Sequence, residues 1–391
     1  LSETKAAGWT IQPVLAAMVA VFTGYASSIV IVFQAAQAAQ LSQELLSSWI
    51  WAISLGCGIS GLGLSLWFRA PISVAWSTPG AALLVVSLGS VTYPEAIGAY
   101  IVCGAAIVLL AVSGLFDRVM KLVPGGIAAA MLAGILFRFG ADTWLSLSHQ
   151  PELIGVMVAV WLMGRRLVPK FAVTLALLSG VAMAVWQGQT DFSAVHATIA
   201  VPVLTMPVFS LRATLNIALP LLLVAVTGQY LPGLAVLRSF GFDVPPRPLV
   251  GGIGTVSLLL APFGCHGVTT AAITAALIAG PDGHDDTSQR WRAGVAMGGF
   301  YLMIALFGAT LAALFAALPR EIIAAIAGLA LLGAIMAGLT AALANPRERD
   351  AAMVTFLCTA SGMALFGLGA PFWGLVLGLI VQFVLQSRKA A

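Results

Sequence analysis

Charge is scarce in this sequence. Of its 391 residues only 8% are Lys, Arg, Asp or Glu, and 60% are hydrophobic, whereas a soluble globular chain carries about 25% charged residues. That shortage excludes an ordinary water-soluble domain. Short segments of alternating polarity are also missing, which excludes a transmembrane β-barrel. Four cysteines, Cys57, Cys103, Cys265 and Cys358, lie singly inside apolar sequence. They read as small core residues, neither a disulfide framework nor a metal site. No Walker motif, cofactor motif or nucleophile–base–acid set occurs, so neither an enzyme nor a cofactor is expected. The net charge of +4 comes from basic residues in turns rather than on one face, so no nucleic-acid partner is implied. The first apolar stretch is full length, without a short core and small-residue cleavage site, so no cleavable signal is expected.

What the sequence does contain is apolar runs of roughly 20 residues separated by short polar turns, the pattern of a polytopic helical membrane protein. Helices are predicted at 11–33, 45–67, 94–115, 124–139, 152–165, 169–188, 211–236, 247–260, 291–318, 321–343, 351–367 and 371–387. Two further stretches, 71–90 and 261–280, are apolar but begin poorly as helices. They read "PISVAWSTPGAALLVVSLGS" and "APFGCHGVTTAAITAALIAG". Each is expected to be an extended piece followed by a half-helix, with Pro79 at a helix start, where proline is tolerated. The total is fourteen membrane elements.

Loop charges support that total. If residue 1 is cytoplasmic and all fourteen elements cross, the cytoplasmic side receives Lys5, Arg69, Arg118, Lys121, Arg165, Arg166, Lys170, Arg238, Arg247, Arg290, Arg292, Arg347, Arg349, Arg388 and Lys389. Arg138, Arg212 and Arg320 fall in turns on the other side. This is a strong positive-inside bias, and it collapses if the two broken stretches are dropped. A multi-pass protein of a bacterial-type inner membrane, with both termini cytoplasmic, is therefore expected.

The halves also resemble each other. "FTGYASSIVIV" (22–32) matches "VTGQYLPGLAVL" (226–237), "APISVAWSTPGAAL" (70–83) matches "APFGCHGVTTAAIT" (261–274), and "VPGGIAAAMLAG" (123–134) matches "LPREIIAAIAGL" (318–329). The order is kept. Seven elements per half is odd, so the second half enters the membrane in the opposite sense. Inverted repeats of this kind are common in secondary transporters.

Candidate site residues follow from the broken stretches. Backbone polar groups cannot stay unpaired in lipid, so irregular backbone at mid-membrane must be covered by protein or line a cavity. Half-helix N-termini offer free N–H groups and a positive dipole end, together an anion site. The cap-region candidates are Ser77, Thr78 and Gly80 in the first stretch and Gly267, Thr269 and Thr270 in the second. The same hydroxyls could equally cap helices or join them without a ligand. None of the acids is expected inside a segment, Glu95 and Glu321 being the deepest. His266 is then the one mid-membrane side chain that titrates near neutral pH, either a functional group or a neutral ring bonded to a carbonyl freed by the break. Tyr25 and the pair Gln229–Tyr230 occupy equivalent places beside Gly24 and Gly228. Trp76 and Phe263 either flank an aromatic ligand or pack the core. "GCGISG" (56–61) fits a dinucleotide fingerprint by letter only. No strand precedes it and no acid follows at the required distance, so it reads as a packing seam, as does "GGIG" (251–254). "PDGHDDTSQR" (281–290) reads as a solvated turn rather than a metal loop.

"AWSTPGAALL" (75–84) and "APFGCHGVTTAAITAAL" (261–277), in a chain of this length, resemble the benzoate/proton symporter family, BenE. The resemblance covers essentially the whole chain. It implies an all-α uracil-transporter-like fold of fourteen elements in two inverted repeats, with short strands before the half-helices of elements 3 and 10. It implies a core domain from 1–121 and 209–318 and a gate domain from 122–208 and 319–391, with a homodimer left open. It further implies import of benzoate, or a similar aromatic carboxylate, with a proton, by alternating movement of core against gate. The carboxylate would sit at the half-helix N-termini and the ring against apolar walls. A co-transported proton removes the cargo's net charge, avoiding the cost of desolvating a carboxylate. His266 is the candidate to carry or sense it; alternatively the substrate binds already protonated. Rivals on the same fold are a nucleobase transporter, for which elements 8 and 10 lack the membrane-embedded carboxylates such proteins use, and an inorganic-anion exchanger or channel, which usually carries a cytoplasmic domain not seen here.

Overall fold

The computed structural model describes residues 10–115, 124–193 and 195–387. Lys5, Arg118, Lys121, Arg388 and Lys389 of the charge count, and the domain boundary expected at 121–122, lie outside the described residues. The chain runs through α1 (Ile11–Ala38), α2 (Gln43–Phe68), β1 (Val74–Trp76), α3 (Thr78–Ser87), α4 (Tyr93–Ser113), α5 (Gly125–His149), α6 (Pro151–Leu167), α7 (Ala172–Trp186) and α8 (Leu211–Ser239). It continues through α9 (Pro246–Leu260), β2 (Val268–Thr270), α10 (Ala272–Ala279), α11 (Trp291–Leu306), α12 (Gly308–Ala316), α13 (Arg320–Ala344), α14 (Arg349–Ser361), β3 (Ala364–Leu365), β4 (Leu368–Gly369) and α15 (Ala370–Ser387). Among the described residues six helices, α1, α2, α4, α5, α8 and α13, are long and apolar enough to cross a membrane. The pair α11–α12, bent by 67° at its break, makes a seventh if taken as one span. The protein is thus an all-α polytopic membrane protein.

Both irregular stretches break as their sequences suggest. In the first, β1 precedes α3; in the second, β2 precedes α10. The strands pair antiparallel in the register Val74↔Thr270, Ala75↔Thr269 and Trp76↔Val268. Each strand thereby pairs backbone groups that the other's break sets free, which an apolar interior requires.

Four helices depart from expectation. The helix predicted over 124–139 continues to His149, so Arg138 and Asp142 sit within α5 and not in a turn. Their i, i+4 spacing puts both side chains on one face of that helix, where they need not meet lipid. The helix predicted over 291–318 breaks at Phe307. The helix over 211–236 holds two π-helical turns, Thr214–Ala218 and Val226–Tyr230. The helix over 351–367 stops at Ser361, where Gly362 adopts a left-handed φ of 68°. A hairpin, β3–β4, follows in the register Ala364↔Gly369 and Leu365↔Leu368.

Small residues bring the long helices together, as they do where lipid supplies no hydrophobic drive. At the crossing of α2 and α11, a Cβ on Gly58 would lie 2.6 Å from Leu302 and one on Gly298 2.7 Å from Leu62. "GCGISG" is therefore the packing seam expected. So is "GGIG": Gly251, Gly252 and Gly254 face Ala111, Leu64 and Ile107. α5 packs along α13, with Gly338 against Ala133. Cys57, Cys103 and Cys265 are buried and unpaired. In the 281–290 turn hydrogen bonds from the Ser288 side chain and from its backbone N–H hold the Asp286 carboxyl below the usual carboxylate range. No cluster of metal-ligating side chains occurs among the described residues.

Candidate functional site: two broken spans joined at their strands

Trp76, Thr269 and Thr270 lie on the β1–β2 pair, and Ser77, Thr78, Gly80, His266 and Gly267 flank it in the chain. Ser77 stands at the N-cap of α3; its hydroxyl accepts from the Gly80 N–H at 3.0 Å and its carbonyl from the Ala81 N–H at 2.8 Å. Pro79 has no N–H to satisfy. Thr78, half-buried, opens the helix. α10 begins differently. Its N-cap is Ala271, and no side chain caps it. Its first-turn amides depend on backbone or on whatever enters the site.

Gly267, Thr269 and Thr270 do not form the cap region of the second half-helix. α10 starts at Ala272, and Thr269 and Thr270 lie on β2. β-branched threonines favour extended backbone, and here β1 supplies their ladder. The Thr270 hydroxyl donates to the Gln229 carbonyl at 3.0 Å, and that of Thr269 reaches toward the Ala75 carbonyl at 3.5 Å. The Gly267 carbonyl accepts from Ser77 N–H at 3.1 Å. These groups join the spans rather than cap one.

His266 is buried, at 2% exposure. The Trp49 indole N–H donates to its Nδ1 at 3.0 Å, and its Nε2 lies 3.1 Å from the Ser77 carbonyl. An indole nitrogen only donates, so Nδ1 accepts and the ring proton sits on Nε2, donating to Ser77. This geometry holds a neutral imidazole. A proton on Nδ1 would set two donors against each other.

Tyr25 and Tyr230 each lie against one strand of the pair. Tyr25 on α1 packs edge-on against Trp76 of β1, ring centroids 4.9 Å apart. Tyr230, at the end of the π turn in α8, donates its hydroxyl to the Val268 carbonyl of β2 at 3.2 Å. Trp76 and Val268 are themselves paired in register. Gln229 is half-buried beside them, its carbonyl held by Thr270. π turns recur at functional sites, where they re-aim one or two residues. Phe263 stands apart. It ends a 3-10 turn, Ala261–Phe263, and packs on Trp51 at 5.6 Å, while Trp76 packs on Tyr25 and Tyr301.

Five participants carry no local signal in the sequence. Trp49 lies in an ordinary apolar helix yet fixes the tautomer of His266. Tyr301 on α11 closes the aromatic group around Trp76, at 6.0 Å. Ser73 and Thr274 bond hydroxyl to hydroxyl at 2.7 Å across the two breaks. Ser257 of α9 accepts from the Val268 N–H at 3.0 Å. The Trp76 indole N–H is buried with no hydrogen-bond partner among the described residues. Buried polar groups are normally paired, so this donor beside the half-helix start is an opening for a ligand or a water.

The profile of the family described as "Benzoate membrane transport protein" matches residues 8–384. A curated benzoate membrane transport protein of Acinetobacter baylyi is 40% identical over 391 residues, covering 100% of this chain and 99% of its own. The inner membrane protein YdcO of Escherichia coli is 45% identical over 372 residues, 95% of each chain. In fold the chain is similar to the anion transporter family member SLC26A9, at TM-score 0.59 and 13% identity, over 97% of this chain and 66% of that longer one. It is likewise similar to the transmembrane domain of a cyanobacterial bicarbonate transporter, BicA, at TM-score 0.55 and 14% identity, over 96% of this chain and 98% of that one. With two interrupted spans joined at their strands and a family profile matched over nearly its whole length, the chain belongs to the benzoate membrane transport family, a family of secondary transporters.

Proposed function

We propose that this protein imports benzoate, or a similar aromatic carboxylate, together with a proton across a bacterial inner membrane. The observation that carries the reading is the antiparallel β1–β2 pair, from whose two ends α3 and α10 start, with Trp76, Tyr25, Tyr301 and His266 around it. Half-helix starts favour an anionic group, and the aromatic rings suit an aryl face. The relatives' names support the substrate. The substrate-binding residues proposed are Tyr25, Trp76, Ser77, Thr78, Gly80, Gln229, Tyr230, His266, Gly267, Thr269 and Thr270. Tyr301 joins this group, while Phe263 is left to packing.

The proposed architecture counts fourteen membrane elements in two inverted sevens, with β1–α3 as element 3, β2–α10 as element 10 and α11–α12 as one bent element. α1–α4 and α8–α12 form a core domain, and α5–α7 and α13–α15 a gate domain. The packing of α2 on α11 and of α5 on α13 supports this division. Both termini are proposed to be cytoplasmic, from the loop charges. Movement of core against gate exposes the site alternately. His266 is the proposed proton sensor. In the geometry described it is neutral, so it takes a proton only when Trp49 releases Nδ1, or else the proton arrives on the carboxyl of the cargo.

Uptake of labelled benzoate into proteoliposomes under an imposed pH gradient tests both parts. Gradient-stimulated uptake is expected. Uptake indifferent to the gradient would remove symport, and no uptake would remove the substrate. An inorganic anion as cargo would show instead as chloride or sulfate flux without benzoate uptake.

A further inference from the structure

A cavity of about 650 Å³ lies at the far end of α3, away from β1. Small-molecule sites span about 300–1,000 Å³. Its charged and amide lining is Gln34 and Gln37 of α1, Arg138 and Asp142 of α5, and Arg212 and Asn216 of α8, with the hydroxyls of Ser87, Ser90 and Thr359 beside them. Its apolar lining includes Val85, Val86, Ile135 and Pro371. Two guanidinium groups and three amides thus share one space with a single carboxylate. In a chain with 8% charged residues, that concentration is unusual.

The segment from Gly362 through the hairpin β3–β4 sets both arginines. Arg212 Nε donates to the Gly367 carbonyl at 3.0 Å. The Arg138 guanidinium rests on Gly362, where an added Cβ would stand 2.5 Å from Nη1. Asn216 clamps the same hairpin, donating to Gly367 carbonyl at 3.0 Å and accepting from Gly369 N–H at 2.8 Å. Asn216 is therefore occupied, and so is Nε of Arg212. The Nη groups of Arg212 and the Arg138 fork remain as donors for a planar anion. The aliphatic wall faces the same space and would cover an uncharged ring. A small inorganic anion would leave that wall unused.

We propose that this cavity is a second, outer binding site, which captures an aromatic carboxylate before it passes to the half-helix starts. The proposal rests on the functional reading above. Val85 lies seven residues along α3 from Thr78, about 10 Å at the helical rise, so the two sites are distinct and lie along one line. The Leu221 side chain packs against Gly80, near the start of α3. With the orientation proposed above, the cavity opens on the periplasmic side, between core and gate.

Saturation curves for labelled benzoate uptake into proteoliposomes distinguish the outcomes. Arg138→Gln is expected to raise the half-saturating concentration about three- to tenfold, the range of a partly exposed charge-assisted contact. Arg138→Lys is expected to recover part of that loss, and Asp142→Asn to lower the half-saturating concentration. A tenfold excess of chloride over benzoate is expected to compete weakly. Benzoate uptake by the unaltered protein, with the half-saturating concentration unmoved in both Arg138→Gln and Asp142→Asn, or moved in the same direction by both, would overturn the outer site and leave the functional reading intact. Strong chloride competition would reassign the cavity to inorganic anions. Absence of benzoate uptake by the unaltered protein would remove both. If Arg138→Gln loses its monodisperse elution profile, Asp142→Asn decides alone, because its sign is opposite to that of damage.

Discussion

A histidine ring shows how far one residue's chemistry depends on its partners. From sequence His266 reads either as a functional titrating group or as a neutral ring bonded to a carbonyl freed by the break. Folded, it has both nitrogens engaged, one by an indole 217 residues away in the chain and one by a carbonyl freed at the other break. Trp49→Phe removes the donor opposite Nδ1 and leaves that nitrogen able to take a proton. The expected result is a pH profile of benzoate uptake displaced toward higher pH, because the ring then charges without opposing donors. His266→Gln keeps a donor and an acceptor but cannot titrate. It is expected to retain benzoate exchange while losing pH-driven accumulation. Unchanged accumulation in that variant would assign the proton to the cargo. Ser77 makes a second residue-scale case. Its hydroxyl caps α3, and Ser77→Ala is expected to cost about 1 kcal/mol, read as a lower Tm in detergent together with weaker benzoate binding.

Among the elements, the informative ones are those that stop early. Pro71, Pro79, Pro262 and Gly264 mark both interruptions in the sequence, so the existence and place of β1–α3 and β2–α10 are legible there. Their pairing is not, because the register Trp76↔Val268 joins residues almost half the chain apart. The sequence places the start of the second half-helix too early for the same reason: Thr269 and Thr270 have the look of caps, but a partner strand claims their backbone. The sequence understates the length of α5 because Arg138 and Asp142 resemble a turn when read alone. In the fold they line a polar cavity, so the helix continues through them. The α5–α13 crossing allows a clear test. A Cβ on Gly328 would collide with the Phe139 carbonyl and the Thr143 hydroxyl, and backbone cannot swing aside. Gly328→Ala is expected to destabilise by about 1–3 kcal/mol, seen as a lower Tm, whereas Gly333→Ala, with open space around it, is expected to leave Tm unchanged.

At the scale of the whole molecule, the loop charges assign a side to each turn. The turns at 187–190 and 281–290 lie on opposite sides if both broken spans cross. Gln189→Cys and Thr287→Cys each place a thiol at an exposed position, against native cysteines of which three are buried. A membrane-impermeant thiol reagent is expected to label the first in intact spheroplasts and the second only after permeabilisation. Labelling of both from one side would remove the inverted arrangement.

Composition and the spacing of apolar runs, by themselves, made this chain a polytopic membrane protein, and its prolines and glycines set where two spans break. Those are local matters: a run of apolar residues enters lipid, and a ring without an N–H interrupts a helix, whatever the rest of the chain does. Tertiary structure alone decided that the breaks join as strands, that Trp49 fixes the proton on His266, and that two arginines from different helices share a cavity under one hairpin. Each of these is a hydrogen bond or a charge shared between distant segments, and in an apolar interior such groups take whichever partner the packing brings within reach.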